Sequence, residues 1–318
     1  MKTPVLLIAF NRPQHTKKVF ERIKKYEPTQ LFVAIDGART NRKEDIAKVN
    51  KVKKETIEAV DWDCNLKTLV RQHNVGCTIG VTSAIHWFFE HVQAGIIIED
   101  DCLVHASFFD FCTEMLARYE GNEKVFHING SNLTYSAIDT PYYFSKYNSV
   151  WGWATWKEKW EQIKQYPTTY ENVLKKNKNY TFKWREKKRW KSIFKLEVEQ
   201  NRETIWDFQY TYYLWKLNGI SVTPSKNLVS NIGFDVDATH TFTDNFFPKY
   251  ANYPAENMAI HEVKNHLPTI KVNSKYDYIL FKNIYALHKG SFIRITLNLL
   301  HSINPKLYNK IKKFLKNE

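Results

Sequence analysis

Three consecutive acidic residues stand directly after an apolar run, and their type and position suit metal chemistry. Glu99-Asp100-Asp101 follow Gly95-Ile96-Ile97-Ile98, a run typical of a buried strand. A carboxylate at such a strand end is costly unless a cation or hydrogen-bond donors meet it. Carboxylate oxygens suit hard divalent ions, which stabilise a departing diphosphate as Lewis acids. The pattern predicts a Mn²⁺ or Mg²⁺ site; the alternative is that Asp100 or Asp101 caps the following helix.

Polar residues also follow the two earlier apolar runs. Asn11 and Arg12 come after the run Val5 to Phe10, and Asp36 comes after the run Leu31 to Ile35. In a parallel sheet, ligands bind beyond the carboxyl ends of the strands. We therefore expect Arg12, Asp36 and the acidic triplet to lie together beyond the carboxyl ends of the strands. The alternatives are a surface ion pair for Arg12 and a turn role for Asp36.

A further carboxylate, Asp207, begins a helix predicted over residues 205–218. A carboxylate within hydrogen-bond reach of an attacking hydroxyl group can act as its general base. The same position also suits an acid that is stabilised by the helix dipole. Asp235 and Asp237 are rival candidates for the base.

Two tryptophans, Trp151 and Trp153, flank Gly152 in an aromatic stretch. A glycine between two indole rings lets the backbone approach a sugar while a ring stacks on it. The pair therefore forms a candidate acceptor platform, and core packing is the alternative for one of the two.

Apolar runs alternate with helical patterns through the first 130 residues. Strands that alternate with helices predict an α/β fold, in which a mostly parallel sheet is covered by helices on both faces. The basic stretch 175–195 fits either a helix or a mobile loop. We divide the chain into 1–135 and 136–270, as two halves of one domain, and 271–318, as a basic, amphipathic C-terminal helical extension.

The chain is basic, with a formal net charge of +14, and it has four cysteines without metal-like spacing. Residues 291–318 combine apolar and lysine-rich positions, so they are expected either to bind an anionic membrane surface or to pack on the domain. No run approaches the roughly 20 apolar residues that span a bilayer. We expect a cytoplasmic protein with reduced, mostly buried thiols, which is peripheral on the inner membrane face if residues 291–318 bind the membrane.

Other functional classes fit less well. Nucleic acid is not an expected partner, because no recognisable binding module is present and the basic runs lie outside the acidic strand end. A nucleotidylyltransferase would usually carry a glycine-rich phosphate loop after the first strand, and this chain has none. A non-catalytic protein that binds sugars or nucleotides on the same fold stays as the alternative to an enzyme.

The acidic motif and its surroundings resemble a known family. Ile98 to Leu103 resembles the E-D-D form of the D-x-D motif in GT-A glycosyltransferases, nearest to the N-acetylglucosaminyltransferase I type and related bacterial sugar transferases. Ile8 to Arg12 and Ile35 to Gly37 resemble the first two strand ends of that family. Phe108-Phe109 and Trp206-Asp207 resemble later pairs. The likeness covers roughly residues 4–240.

The resemblance implies a GT-A fold and a role for each matching residue. Asp101 would be the direct metal ligand, and Glu99 and Asp100 would contact the ribose and sugar of the donor. The group that holds the nucleotide base would be Phe10, Arg12 and Asp36.

Asp207 would be the catalytic base, although Phe208 stands where the family has a second Asp. Many GT-A enzymes place a late histidine on the metal or diphosphate, and His240 is the candidate here; an ordinary surface histidine is the alternative. One base without a second nucleophile implies inversion. We therefore expect transfer of a sugar from a nucleoside-diphosphate donor, UDP favoured, to a hydroxyl of a glycan or lipid-linked glycan in bacterial surface polysaccharide synthesis.

Overall fold

The computed structural model describes residues 2–163, 173–174, 177–199, 206–234, 253–259, 263–264 and 266–286. Asp235, Asp237, His240 and the segment 291–318 lie outside the described residues, so their predicted roles stay predictions. Within the described parts, no helix has the length and apolar character needed to cross a membrane.

One eight-stranded, mostly parallel sheet forms the centre of the molecule. Its strand order is β3-β2-β1-β4-β8-β6-β9-β7, in which β8 and β7 run antiparallel to their neighbours. The strands β5 and β10 form a separate, two-stranded antiparallel sheet. The strands are β1 Val5–Ala9, β2 Gln30–Ile35, β3 Asn65–Val70, β4 Ala94–Glu99, β5 Cys102–Val104, β6 Val125–Asn129, β7 Tyr142–Ser145, β8 Trp153–Trp156, β9 Ile220–Pro224 and β10 Val229–Asn231.

Helices connect most of these strands, as the alternating pattern predicts. Pro13 begins the first helix, where its missing N–H has no cost. The described helices are α1 Pro13–Tyr26, α2 Glu44–Thr56, α3 Cys77–His91, α4 Ala106–Arg118, α5 Lys157–Trp160, α6 Trp184–Glu199, α7 Trp206–Lys216 and α8 Ser274–Leu280. A short 3-10 helix follows α2 at Ile57–Ala59, and a short π-helix follows α8 at Phe281–Tyr285.

The sheet has an apolar core on each face. Alternate residues of β1 divide between them: Val5 and Leu7 belong to one core, and Leu6 and Ile8 to the other. The first core packs against α1, α2 and α4, and the second packs against α3 and α5. A strand that is buried on both faces must be apolar throughout, which is why these runs do not alternate with polar residues. The predicted α/β class is confirmed.

Several local predictions differ from the structure. The aromatic run contains a strand, β8, which inserts antiparallel between β4 and β6. Of the two alternatives for the stretch 175–195, the helix holds for residues 184–195, which belong to α6. In α2, Ile46 is 58% exposed, and Val49 and Val52 are the apolar residues that bury the helix. Cys77 is exposed, contrary to the expectation of mostly buried thiols, and Cys102 and Cys112 are buried.

Part of the predicted C-terminal extension packs on the rest of the domain. Asp277 of α8 accepts hydrogen bonds from Ser145 Oγ (2.6 Å) and from the backbone N–H of Lys146 (3.1 Å). The Lys146 ammonium in turn forms a buried ion pair with Glu186 of α6, 2.8 Å from its carboxylate. These contacts join β7, α6 and α8 around one buried polar network.

Candidate active site

The acidic triplet lies at the carboxyl end of the central strand β4. This strand runs between β1 and β8, and Glu99 lies opposite Ile8 in the register with β1. Ile96, Ile97 and Ile98 are buried in the two cores. Because the apolar run is anchored on both faces of the sheet, the polar residues that follow it are held at the sheet edge.

Arg12, just after β1, joins that strand to the triplet. Its guanidinium donates from Nη1 to Asp101 Oδ2 over 3.0 Å and from Nη2 to Asp100 Oδ1. The backbone N–H of Phe10 donates to Asp100 Oδ2 over 3.2 Å. The structure therefore brings Phe10, Arg12 and the triplet together, and their roles toward a ligand stay predictions.

Negative charge exceeds positive charge in this cluster. Burial, followed by the charges of Asp101 and Asp100, raises the pKa of Glu99 well above its ordinary value. Burial also raises the pKa of Asp100, although Arg12 opposes this shift. Burial lowers the Arg12 pKa, but the two aspartates outweigh it and the pKa is raised overall. Even with the Glu99 carboxyl protonated, the Asp100 and Asp101 carboxylates carry more negative charge than the single Arg12 guanidinium neutralises, and a divalent cation could balance the excess.

The segment after β10 supports the triplet from the other side. The backbone N–H of Ile232 donates to the carbonyl oxygen of Asp101 over 2.9 Å, and the N–H of Gly233 donates to Asn231 Oδ1 over 2.8 Å. A Cβ at Gly233 would overlap Asp101 Oδ2 and lie 2.9 Å from Arg12 Nη1. A glycine is therefore needed here because of this close approach. Sequence reasoning did not single out Gly233, since nothing in its local pattern points to Asp101.

Asp36, at the end of β2, holds the loop that leads into α3. Its Oδ2 accepts from Asn74 Nδ2 over 2.8 Å, and its Oδ1 accepts from the N–H groups of Gly37 and Val75 over 2.9 and 3.1 Å. Burial raises its pKa, and these backbone donors oppose the shift. Both oxygens already have partners in this loop, so a contact with a nucleotide base, as predicted, would have to share them.

Arg39 is a functional candidate that sequence reasoning missed. Its guanidinium lies 5.3 Å from the ring centroid of Phe10, and it donates to the buried Asp45 carboxylate through Nε (2.6 Å) and Nη2 (3.0 Å). The same carboxylate accepts from Asn11 Nδ2 over 2.7 Å. The hydrogen bond from Arg39 is the main cause that lowers the pKa of Asp45 to about 2. The available signal was the position of Arg39, three residues after the strand-end Asp36.

A pocket of about 260 Å³ lies at the carboxyl ends of β6 and β9. Its wall mixes amide, hydroxyl and charged groups with aromatic rings, a composition that suits a hydroxyl-rich ligand. Polar, charged and aromatic residues of this wall include Asn129, Asn148, Ser149, Trp151, Arg189, Asp207, Thr211 and Tyr285.

Asp207 lies in this pocket, in the first turn of α7. Burial raises the pKa of its carboxylate to about 6, and the neighbouring backbone N–H of Phe208 opposes this shift. Thr211, one turn later, donates to Asn148 Oδ1 over 2.8 Å, which ties α7 to the opposite wall. The carboxylate is thus ionised at neutral pH with a pKa suited to accepting a proton.

A ring contact connects the wall of the pocket with the segment beside the acidic cluster. The ring of Trp151 meets that of Phe234 with 5.7 Å between centroids. Phe234 directly follows Gly233, the glycine that abuts Asp101. The pocket wall and the triplet are therefore neighbours through Trp151, Phe234 and Gly233.

Only one of the two predicted platform tryptophans lines the pocket. Trp151 is part of its wall, whereas Trp153 is completely buried in the second core. The Trp153 indole stacks on His127, with 4.9 Å between centroids, and packs against Trp206 and Tyr210. The prediction of an acceptor contact by Trp153 is therefore wrong for this structure. The reason is strand alternation, because the β8 side chain points into the sheet face that helices cover.

No protein cage for a metal ion is visible in the described parts of the chain. Among these residues, no group of three or more His, Cys, Asp or Glu side chains is placed to hold an ion. The acidic triplet still provides the oxygen donors that Mg²⁺ and Mn²⁺ prefer. A cation at Asp101 would have to complete its coordination with water or with ligand oxygens.

Comparisons with known proteins give no family. No family model matches the chain, and no curated protein matches it. Among solved structures, HddC from Yersinia pseudotuberculosis aligns over 52% of this chain and 80% of its own, at 9% identity and a TM-score of 0.29. The same protein complexed with GMP-PN aligns over the same shares, at 10% identity and a TM-score of 0.31. Likenesses of this size show neither a shared fold nor a shared activity.

Proposed function

We propose that this chain is a metal-dependent, inverting glycosyltransferase of the GT-A type. It moves a sugar from a nucleoside-diphosphate donor, UDP favoured, to a hydroxyl of a glycan or lipid-linked glycan, in bacterial surface polysaccharide synthesis. The observation that carries the proposal is an acidic triplet at a strand end that is linked, through Gly233, Phe234 and Trp151, to a polar and aromatic pocket with a separate carboxylate, Asp207.

The donor side of the proposed site is the cluster around β4. Asp101, whose side chain is partly accessible to solvent, would hold Mn²⁺ or Mg²⁺, and Arg12 keeps its carboxylate in place. When bound, the ion would neutralise the donor diphosphate and assist its departure. Glu99 and Asp100 would contact the ribose and sugar, as the resemblance implies, and the Phe10 and Arg39 pair offers a cationic and aromatic surface for the base.

The acceptor side is the pocket that contains Asp207. Trp151 offers an indole face for a sugar ring, and the Arg189 guanidinium, which lines the pocket, offers hydrogen-bond donors for its hydroxyl groups. The Asp207 carboxylate accepts the proton of the attacking hydroxyl while that oxygen bonds to the anomeric carbon and the diphosphate leaves with the bonding electrons. Asp207 is the single carboxylate among the described residues that line the pocket, which supports direct displacement with inversion.

Ligand-dependent stabilisation tests the donor side. The wild-type melting temperature should rise with UDP and Mn²⁺ together, and it should rise much less with either alone. Asp101→Asn should lose this metal dependence. Asp110→Asn, the same change at an exposed position of α4, is the matched control and should keep it. Indifference of the wild type to Mn²⁺ with every nucleoside diphosphate would reject the proposal.

Catalysis needs a separate measurement, because a non-catalytic binding protein on the same fold would also be stabilised. Nucleotide release from a panel of UDP- and GDP-sugars, with mass spectrometry of the products formed on glycan and lipid-linked glycan acceptors, distinguishes the two. An enzyme releases nucleotide and increases the acceptor mass by one sugar. Tight donor binding without turnover on any acceptor would favour the binding protein.

A further inference from the structure

Helix α6 has two chemically opposite faces. Positions 184, 188, 191 and 195 follow the i, i+4, i+7, i+11 spacing of one helix face, and positions 186, 190 and 193 lie on the other. The first face is exposed and the second is buried. A helix that packs on a domain normally buries its apolar residues and exposes charges of both signs. The outer face of α6 differs, because it exposes a tryptophan and cationic side chains.

The inner face fixes the helix to the domain and to the candidate active site. Trp190 is completely buried, and Glu186 pairs with the buried Lys146 over 2.8 Å. Arg189 and Ile193 line the pocket that contains Asp207. Arg189 Nε also donates to the carbonyl oxygen of Tyr285 over 2.9 Å. The orientation of α6 is therefore set by contacts on this side.

The outer face combines cations with an exposed tryptophan. Trp184 is 71% exposed, the most exposed large apolar side chain of the described residues, and Lys188 Nζ lies 5.3 Å from its ring centroid. Within residues 184–195 the only acid is Glu186, which is buried. We call this face the α6 basic surface; its exposed members are Trp184, Arg185, Lys187, Lys188, Lys191 and Lys195.

The neighbouring helix α8 extends this surface. The ring of Tyr278, which is partly exposed, has Lys183 Nζ at 3.7 Å and Lys282 Nζ at 5.5 Å from its centroid. Lys183 directly precedes Trp184 in the chain, so the Tyr278 ring and its ammonium groups lie next to the α6 basic surface. Like charges so close together repel one another unless an anionic partner lies against them.

We propose that the α6 basic surface docks on an anionic lipid bilayer. Lysine and arginine side chains attract anionic headgroups, and an indole ring is most stable at the boundary between headgroups and acyl chains. The exposed Trp184 favours a bilayer over duplex nucleic acid as the partner, because the phosphate backbone of a duplex offers the ring no apolar environment. This docking goes beyond the proposed transfer reaction and does not depend on it.

One consequence does rest on the proposed function. Since α6 presents Arg189 to the acceptor pocket and the basic surface to the bilayer, a docked molecule would hold that pocket within one helix diameter, about 10 Å, of the headgroups. This placement suits a glycan attached to a lipid better than a glycan free in solution.

Vesicle co-sedimentation tests the docking with the full-length chain. Wild type should bind phosphatidylcholine vesicles that contain phosphatidylglycerol, should not bind vesicles of phosphatidylcholine alone, and should dissociate as salt is added. Lys188→Gln with Lys191→Gln should weaken binding by about five-fold per lysine, thus about 25-fold together. Lys51→Gln with Lys54→Gln, exposed on α2 with the same spacing, is the matched control and should bind like wild type.

Trp184→Ser separates a bilayer from a simple polyanion. It should weaken binding to the same vesicles while leaving the binding of inorganic polyphosphate, which has neither bases nor acyl chains, unchanged. Equal vesicle binding by the α6 and α2 double variants, or full vesicle binding by Trp184→Ser, would overturn the proposal. Nucleotide release from a water-soluble donor should be the same in all these variants, so loss of docking is distinguishable from failure of the proposed enzyme activity.

Discussion

The close approach of Gly233 to the acidic triplet leads to a sharp prediction. In Gly233→Ala the new Cβ would overlap Asp101 Oδ2 and lie 2.9 Å from both Asp101 Cβ and Arg12 Nη1. The backbone on this side is held by the Ile232 bond to Asp101, so the side chains must move instead. We expect the Asp101 carboxylate to rotate and its 3.0 Å bond to Arg12 to break.

The size of the effect follows from these contacts. Forcing an extra methyl group into such a gap costs about 1–3 kcal/mol of unfolding free energy. Loss of a group that orients a metal ligand typically weakens metal-dependent binding by about 10–100-fold. Isothermal titration calorimetry of UDP with Mn²⁺ should therefore show this loss of affinity, and urea denaturation should show the smaller loss of stability.

Gly121→Ala provides the matched control. Gly121 has φ +68°, and an added Cβ there meets no atom within 4 Å. Its substitution should cost about 1–2 kcal/mol of stability through backbone strain alone, with UDP affinity unchanged. If Gly233→Ala keeps wild-type affinity for UDP and Mn²⁺, or if Gly121→Ala loses as much affinity, the assignment of Asp101 as the metal-holding carboxylate is wrong.

Three other expectations concern the base, a buried acid and the tryptophans. Asp207→Asn should lower kcat by about 10²–10⁴-fold without changing UDP affinity; because the Asp207 pKa is raised to about 6, the wild-type rate should fall below about pH 6, where the base becomes protonated. Burial raises the Asp277 pKa to about 7, so ionisation of this carboxyl disfavours the folded state. The wild-type unfolding free energy should therefore fall by up to about 4 kcal/mol as the pH rises from about 4 to about 7. Urea titrations across this range should show a flatter dependence for Asp277→Asn than for Asp139→Asn, a control at an exposed position. Trp153→Ala should cost about 3–5 kcal/mol of stability, whereas Trp151→Ala should raise the acceptor KM and leave the denaturation midpoint nearly unchanged.

The first half of the fold could be predicted from the chain because its signals are local. The runs that became β1, β2 and β4 are apolar at every position, since both sheet faces are covered, and the helices between them carry clear apolar stripes. The positions of Arg12, Asp36 and the acidic triplet at one sheet edge follow directly from where these runs end.

The second half was harder to predict for a physical reason. The strand β8 is only four residues long, and its aromatic sequence fits a strand, a core segment or a sugar platform equally well. Its place between β4 and β6 depends on backbone pairing with residues that are distant in the chain. The pocket around Asp207 also draws its wall from separate segments, including Arg189 of α6 and Tyr285 after α8.

Patterns along the chain were therefore sufficient for the fold class and for the position of Glu99, Asp100 and Asp101 at a strand end, because burial and strand ends leave a local trace. Only the tertiary structure decided which side chains these three residues contact. Arg12 and Asp101 are 89 positions apart, and no spacing rule relates Gly233 to either of them. Such contacts depend on how strands pair and which faces become covered, and these are properties of the packed chain as a whole.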